Sequence, residues 1–138
     1  MKVGITGANG FIGWHMRCYL ATRKDVVEVR LADRETFASE VKLKQFVDKL
    51  DLIVHLAGVN RAEPEELVSG NAEPAEKLVN ALNDTGNTPF IAYTSSTQDV
   101  SAANPYGECK AAESEIFQHW AKSTTASCLN LTLPHLFL

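Results

Sequence analysis

Three glycines spaced three apart, directly behind a β-branched run, constrain this chain more than any other stretch: Val3-Gly4-Ile5-Thr6-Gly7-Ala8-Asn9-Gly10-Phe11-Ile12-Gly13. The run reads as a strand, the glycines as a tight turn, and the apolar-periodic residues after them as the start of a helix. Gly7 permits the sharp turn, Gly10 leaves room for a phosphate to approach the backbone, and Gly13 lets the helix lie close to the sheet. The N–H groups of a helix start, at the positive end of its dipole, suit a pyrophosphate. The spacing is G-x-x-G-x-x-G rather than G-x-G-x-x-G. A glycine-rich turn without a ligand is therefore the competing reading, and what else falls beside the turn must decide.

Along the chain, Trp14, Cys18 and Leu20–Ala21 carry the first helix to about Arg23. Val26 to Leu31 alternates Val27, Val29 and Leu31 and reads as a second strand. Residues 35–50 approach a helical period, with Ser39 as a cap. Asp51-Leu52-Ile53-Val54-His55-Leu56-Ala57-Gly58 is a continuous apolar run ending in small residues, as in a strand buried on both faces of a parallel sheet. Residues 59–69 are expected to form a polar loop with a short helical piece, Pro64 fitting its first turn. A longer helix follows, with Ala75, Leu78, Val79 and Leu82 on one face and Gly86 as its stop. Pro89 to Thr94 reads as a fourth strand, ending in Ser95-Ser96-Thr97-Gln98. Residues 99–105 read as a loop, Tyr106 to about Lys122 as a helix with Ala112, Ile116 and Trp120 inward, and Ala126 to Leu131 as a fifth strand.

Alternating strands and helices predict a doubly wound parallel α/β sheet of five strands, residues 1–138 forming one domain. The expected strand order is 3-2-1-4-5, with a ligand over the carboxyl ends where the order reverses. Four features fall at those ends: the Gly7–Gly13 turn, Arg30–Arg34, Leu56-Ala57-Gly58 and Ser95-Ser96. Their coincidence points to a nucleotide cofactor more strongly than any one motif.

A net charge of −4 argues against nucleic acid as a partner. The sequence lacks an apolar run long enough to span a membrane, so no membrane partner is expected. Met1-Lys2 leads straight into a strand rather than a signal-peptide pattern, which predicts a cytoplasmic protein. Three cysteines, Cys18, Cys109 and Cys128, read as free thiols, with Cys18 and Cys128 in the core. Neither they nor the four histidines have metal-ligand spacing, so no metal site is expected.

Chemistry concentrates in Tyr106-Gly107-Glu108-Cys109-Lys110. Tyrosine and lysine at i and i+4 share one helix face. An ammonium beside a phenol favours phenolate, and an oxidised nicotinamide ring would add to this. The phenol could then exchange a proton with a carbinol or carbonyl near neutral pH. Ser96, at the neighbouring strand end, could hydrogen-bond the same substrate oxygen. The pair could equally sit on the outside of an amphipathic helix; its place after a nucleotide turn and a serine-rich strand end favours chemistry.

These residues resemble the extended short-chain dehydrogenases/reductases, the NAD-dependent epimerase/dehydratase group. The resemblance rests on Thr6-Gly7-Ala8-Asn9-Gly10-Phe11-Ile12-Gly13, His55-Leu56-Ala57-Gly58, Asn71, Thr94-Ser95-Ser96 and Tyr106-Gly107-Glu108-Cys109-Lys110. Leu56-Ala57-Gly58-Val59-Asn60-Arg61 and Asn104-Pro105-Tyr106-Gly107-Glu108 resemble the bacterial capsule and O-antigen reductases that make UDP-linked 2-acetamido-2,6-dideoxy-hexoses. The resemblance implies a Rossmann fold and roles for particular residues. Ser96, Tyr106 and Lys110 match the catalytic serine, tyrosine and lysine, Tyr106 and Lys110 also meeting the cofactor. Gly7, Asn9, Gly10, Phe11, Ile12 and Gly13 match the pyrophosphate turn; Leu56, Ala57, Gly58 and Thr94 line the cofactor. Asn71 matches a helix asparagine near the active site, and could also be a helix N-cap.

Selection between NAD and NADP belongs to the end of the second strand, where an acid suits the ribose 2′-hydroxyl and arginine a 2′-phosphate. Arg30 and Arg34 flank Asp33, and the lean is to NADP(H) over NAD(H). The family continues beyond the fifth strand into a portion that grips the sugar nucleotide, so the sequence reads as truncated before that portion. Thr132 stands where the family usually has arginine, and Leu138 where it has glycine. A nucleotide-sugar substrate and a homodimer through the helices near 71–85 and 105–122 are implied, with Ile116, Phe117 and Trp120 at that contact or in the core. Three functions follow: reduction of a UDP-linked keto-sugar, a non-catalytic dinucleotide-binding or dimerisation module, or an epimerase or dehydratase of the same group. Dehydratases typically add an acidic pair near the serine, where this chain has Thr97-Gln98 and one acid, Asp99.

Overall fold

The computed structural model describes residues 1–59, 62–96 and 105–134, except the side chain of Ser96. Asn60, Arg61, Thr97, Gln98, Asp99, Asn104 and residues 135–138 lie outside the described residues. Strands β1 (Lys2–Thr6), β2 (Glu28–Ala32), β3 (Leu52–His55), β4 (Phe90–Ser96) and β5 (Cys128–Leu133) alternate with helices α1 (Phe11–Ala21), α2 (Arg34–Phe37), α3 (Glu40–Val47), α4 (Pro64–Thr85) and α5 (Pro105–Ser123). All four strand pairings are parallel.

The sheet order is β2-β1-β3-β4-β5, which corrects the expected 3-2-1-4-5. β3 is not the outer neighbour of β2. It pairs with β1, Val3 to Thr6 running against Leu52 to His55, and on its other side with β4. Burial supplies the reason. Ile53, Val54 and His55 are buried, which a central strand demands, whereas Val27, Val29 and Leu31 around β2 stay exposed, as an edge permits. The chain winds outward from β1 to β2 and then in the opposite sense through β3, β4 and β5. The reversal, and the crevice it opens, therefore lies between the carboxyl ends of β1 and β3.

Apolar layers cover both faces. Leu43, Phe46, Val47, Ile53, Leu78, Leu82, Ile91, Tyr93, Phe117 and Trp120 join β3 and β4 to α3, α4 and α5. Val3, Ile5, Ala8, Leu20 and Val54 form the opposite layer, with Met16 and Val26 packed on it. Phe117 and Trp120 are core, while Ile116 is only partly buried. Cys109 is the buried thiol; Cys18 is exposed and Cys128 intermediate, which corrects the placement of Cys18 in the core.

Two helical expectations change. The stretch 35–50 is two helices, broken at Ser39, whose hydroxyl accepts from Lys42 N and caps α3. The short helix expected before residue 69 is instead the start of a continuous 22-residue α4, with Pro64 in its first turn and Pro74 inside it; Asn60 and Arg61 of the expected loop lie outside the described residues. Pro74 lacks the N–H for the Gly70 carbonyl. The helix continues because one buried stripe, Leu67, Asn71, Ala75, Leu78 and Leu82, runs past the proline without changing face. Gly86 ends α4 in the left-handed conformation, φ 68°.

Candidate functional site

The Gly7 turn is fitted to its neighbours atom by atom. Gly7 has φ +67°, and a Cβ there would stand 2.6 Å from the Leu56 carbonyl carbon and 2.7 Å from Ala57 N. Gly13 is pressed against the Gly7 carbonyl oxygen, and a Cβ on it would also stand 2.7 Å from Ala8 Cα. Those contacts draw α1 and the end of β3 onto the turn. Gly10 is different. Among the described residues a Cβ there would meet only the Gly7 oxygen, at 3.4 Å, so the missing side chain leaves space in front of α1. Gly10 is also the N-cap of α1, with extended backbone and no side-chain cap. A helix start leaves its first N–H groups without intrahelical acceptors. An open cradle of that kind fits a pyrophosphate. Asn9 beside it accepts from Arg17 at 3.4 Å; Phe11 is exposed and Ile12 partly buried.

On the β3 side, Leu56, Ala57 and Gly58 follow directly from the crevice edge. Asn71 reaches across from α4 to hold this segment. Its Nδ2 donates to the Val59 carbonyl at 2.8 Å and to Leu67 O at 2.7 Å, and its Oδ1 accepts from Val59 N at 3.2 Å. Asn71 is fully buried in mid-helix and is therefore a clamp on the loop after β3, not an N-cap. Gly58 lies between two polar heads: a Cβ on it would stand 2.7 Å from Asn71 Oδ1 and 3.9 Å from Lys110 Nζ. The lysine ammonium thus reaches the crevice from α5.

Tyr106 lies one helical turn before Lys110 on α5 and is half-buried. Thr94 and Ser96 belong to the end of β4, paired with Leu131 and Leu133. Ser95 turns toward β5, donating to Asn130 Oδ1 at 2.6 Å and lying 3.1 Å from the Thr132 hydroxyl.

The two arginines separate. Arg30 sits in mid-strand, not at a carboxyl end. Its guanidinium donates to Glu28 Oε1 at 2.6 Å and to the carbonyls of Gln45, Phe46 and Asp48, the open C-terminal end of α3. It is committed to capping that helix. Arg34 starts α2 at the carboxyl end of β2 and is exposed. Asp33 between them caps α2, accepting from Thr36 N at 2.9 Å, which holds its carboxyl below the ordinary range.

A buried polar array lies beneath the crevice and was not singled out from sequence. Thr6 Oγ1 accepts from Leu56 N and Ala57 N, both at 3.2 Å, and lies 2.8 Å from His55 Nδ1. With both lone pairs engaged, the hydroxyl donates its proton to Nδ1, which assigns the ring hydrogen to Nε2. His55 Nε2 stands 3.4 Å from Glu113 Oε1, and Glu113 Oε2 accepts from Lys110 Nζ at 2.6 Å. Burial first, then the Lys110 charge, pushes the His55 imidazole down to about 3, so the ring is neutral. The sequence signals were a histidine inside an apolar strand and a glutamate three residues after the lysine.

The profile of the NAD dependent epimerase/dehydratase family matches residues 3–138. The UDP-2-acetamido-2,6-beta-L-arabino-hexul-4-ose reductase of Pseudomonas aeruginosa is 38% identical, over 99% of this chain and 36% of its own. Among solved structures, the capsular polysaccharide assembling protein CapF of Staphylococcus aureus superimposes with a TM-score of 0.81 at 31% identity, covering 99% of this chain and 35% of that one. RMD of Pseudomonas aeruginosa, solved with NADPH, shares the fold at a TM-score of 0.84 and 22% identity, covering 98% of this chain and 55% of its own. The chain thus spans about a third of the length of the reductase and of CapF. On the family match and on a fold wound about the Gly7 crevice, the chain belongs to the NAD dependent epimerase/dehydratase family.

Proposed function

We propose that this domain binds NADPH across the carboxyl ends of β1, β3 and β4 and serves the reduction of a UDP-linked keto-sugar in capsule or O-antigen biosynthesis. The observation that carries this reading is convergence: the Gly7 turn packs on Leu56 and Ala57, and the next residue, Gly58, stands beside the Lys110 ammonium. Three distant segments meet at one crevice, with the cradle of Gly10 at its mouth. The names of the reductase and of CapF supply the substrate class.

The first N–H groups of α1 take the pyrophosphate, Leu56, Ala57, Gly58 and Thr94 line the cofactor, and buried Asn71 holds the segment after Gly58 in place. Bound NADPH supplies a hydride for the carbonyl carbon of the sugar. Ser96 orients the carbonyl oxygen, Tyr106 gives it a proton, and Lys110 holds the nicotinamide ribose beside them. Arg34 favours NADPH over NADH: its guanidinium suits a 2′-phosphate. Asp33, spent on the cap of α2, is a poor partner for a ribose hydroxyl. Three free thiols accord with a reducing cytoplasm. The outer faces of α4 and α5 leave a groove whose lining mixes Val79, Ala112 and Ile116 with Glu76, Glu115 and Lys122, where a second copy would pack to form a homodimer.

The test is hydride transfer from NADPH to a UDP-linked 4-keto-sugar. Tyr106→Phe should cut the rate by about 100-fold or more, the size of a lost general acid. An unchanged rate removes Tyr106 from the chemistry. Cofactor binding without turnover in the unaltered chain favours a dinucleotide-binding module, the reading prompted by its coverage of a third of the relatives.

A further inference from the structure

Lys110 is 5% exposed, Glu113 0%, His55 1% and Thr6 0%, so a cation, an anion and two polar groups share one buried array. Burying an ion pair is a poor way to stabilise a fold, because lost hydration offsets the attraction. What such a pair does well is fix geometry. A lysine head on a flexible four-carbon stem has many positions to choose from. Here one carboxylate oxygen takes it at 2.6 Å, while the other oxygen lies 3.4 Å from His55 Nε2. His55 is itself locked through Thr6 to the backbone N–H groups of Leu56 and Ala57. The lysine is therefore referenced to the same two residues on which the Gly7 turn packs.

We propose that Glu113, whose second carboxylate oxygen lies 3.4 Å from His55 Nε2, is the positioning residue that holds the Lys110 ammonium beside Gly58, in register with the cofactor turn. The proposal rests on the reading that a dinucleotide occupies the crevice. Glu113 touches neither cofactor nor substrate; it acts through Lys110. The pair spans three residues of α5, so the helix itself sets its geometry. One of the ammonium's three donors goes to Glu113, which orients the remaining two.

The experiment is a double-mutant cycle read as NADPH and NADH affinity by calorimetry, on the unaltered chain, Glu113→Leu, Lys110→Met and the double variant, each checked for fold by circular dichroism. Leucine fills the volume of Glu113 but offers no acceptor. Glu113→Leu should weaken NADPH and NADH by the same factor, about tenfold, the scale of a lost charged hydrogen bond. In the Lys110→Met background it should change affinity by less than about twofold, because the residue it acts through is gone. A full loss repeated in that background marks Glu113 as merely structural and overturns the proposal; so does unchanged affinity in Glu113→Leu alone. If Lys110→Met does not fold, a crystal structure of Glu113→Leu decides: Nζ displaced from Gly58 supports the proposal, and Nζ in place overturns it. Lys110→Met weakening both nucleotides while Glu113→Leu does not leaves the cofactor reading standing and the proposal refuted. An unaltered chain that binds neither nucleotide sinks both.

Discussion

Asn71 holds the backbone of Val59 through both its polar groups, Nδ2 donating to the carbonyl at 2.8 Å and Oδ1 accepting from the amide at 3.2 Å. A side chain twelve residues downstream thereby replaces a strand partner for the loop that leaves β3. Asn71→Ala removes both bonds and a third, from Nδ2 to the Leu67 carbonyl. The expected loss is about 2 kcal/mol, a fall in melting temperature of roughly 6–10 °C by thermal denaturation. Asn71→Asp should be no milder, since a carboxylate has no donor for the Val59 carbonyl.

The glycines separate folding from binding. Gly7→Ala places a methyl against the Leu56–Ala57 peptide at a positive φ and should destabilise by about 3 kcal/mol in urea unfolding. Gly10→Ala meets only one atom, at 3.4 Å, and should shift stability by less than about 1 kcal/mol. The same methyl fills the cradle, so NADPH affinity should fall about tenfold or more. Gly10→Ala binding as tightly as the unaltered chain contradicts the assignment of the cradle.

Arg30 and Arg34 should divide stability from cofactor choice. Arg30→Ala uncaps α3 and breaks the pair with Glu28, a loss of about 1–2 kcal/mol with no change in the NADPH to NADH affinity ratio. Arg34→Ala should leave stability within about 0.5 kcal/mol and lower that ratio about tenfold. Equal effects of Arg34→Ala on the two nucleotides would remove the arginine from recognition of the 2′-phosphate.

The buried histidine sets a pH dependence. Its folded value, about 3, lies below the ordinary 6.5, so below pH 6.5 the unfolded chain takes up a proton that the folded chain excludes. Stability is thus complete above 6.5 and falls with pH below it, by about 1.4 kcal/mol per unit. Between pH 7 and pH 5 this amounts to about 2 kcal/mol. Urea unfolding at the two values measures it, and His55→Asn should flatten the slope.

Much of this fold is readable from local pattern. The Gly7–Gly13 turn, the buried run at β3 and the stop at Gly86 each carry their own physical signature, and the doubly wound parallel sheet follows from their alternation. The strand order is not local. It depends on which strand takes the place beside β1 and β4: Ile53 and Val54 of β3 are buried there, while Val29 and Leu31 of β2 are left exposed at the edge. The continuity of α4 is not local either: the stripe from Leu67 to Leu82 carries the helix past Pro74. At the site, Gly10, Gly58 and Lys110 are visible as motif positions. Arg30 is not, because the α3 carbonyls that capture it lie fifteen to eighteen residues away. Glu113 stays hidden for the opposite reason: as one acid among several on α5, only its burial with Lys110 and His55 sets it apart.

A crystal of this chain soaked with NADPH shows whether the Gly7 crevice holds a dinucleotide. The pyrophosphate should lie on the amides of the first turn of α1, in front of Gly10, and the nicotinamide ribose between Gly58 and Lys110 Nζ. A dinucleotide bound elsewhere, or a crevice still empty at millimolar NADPH in crystals whose packing leaves it open, would contradict that placement.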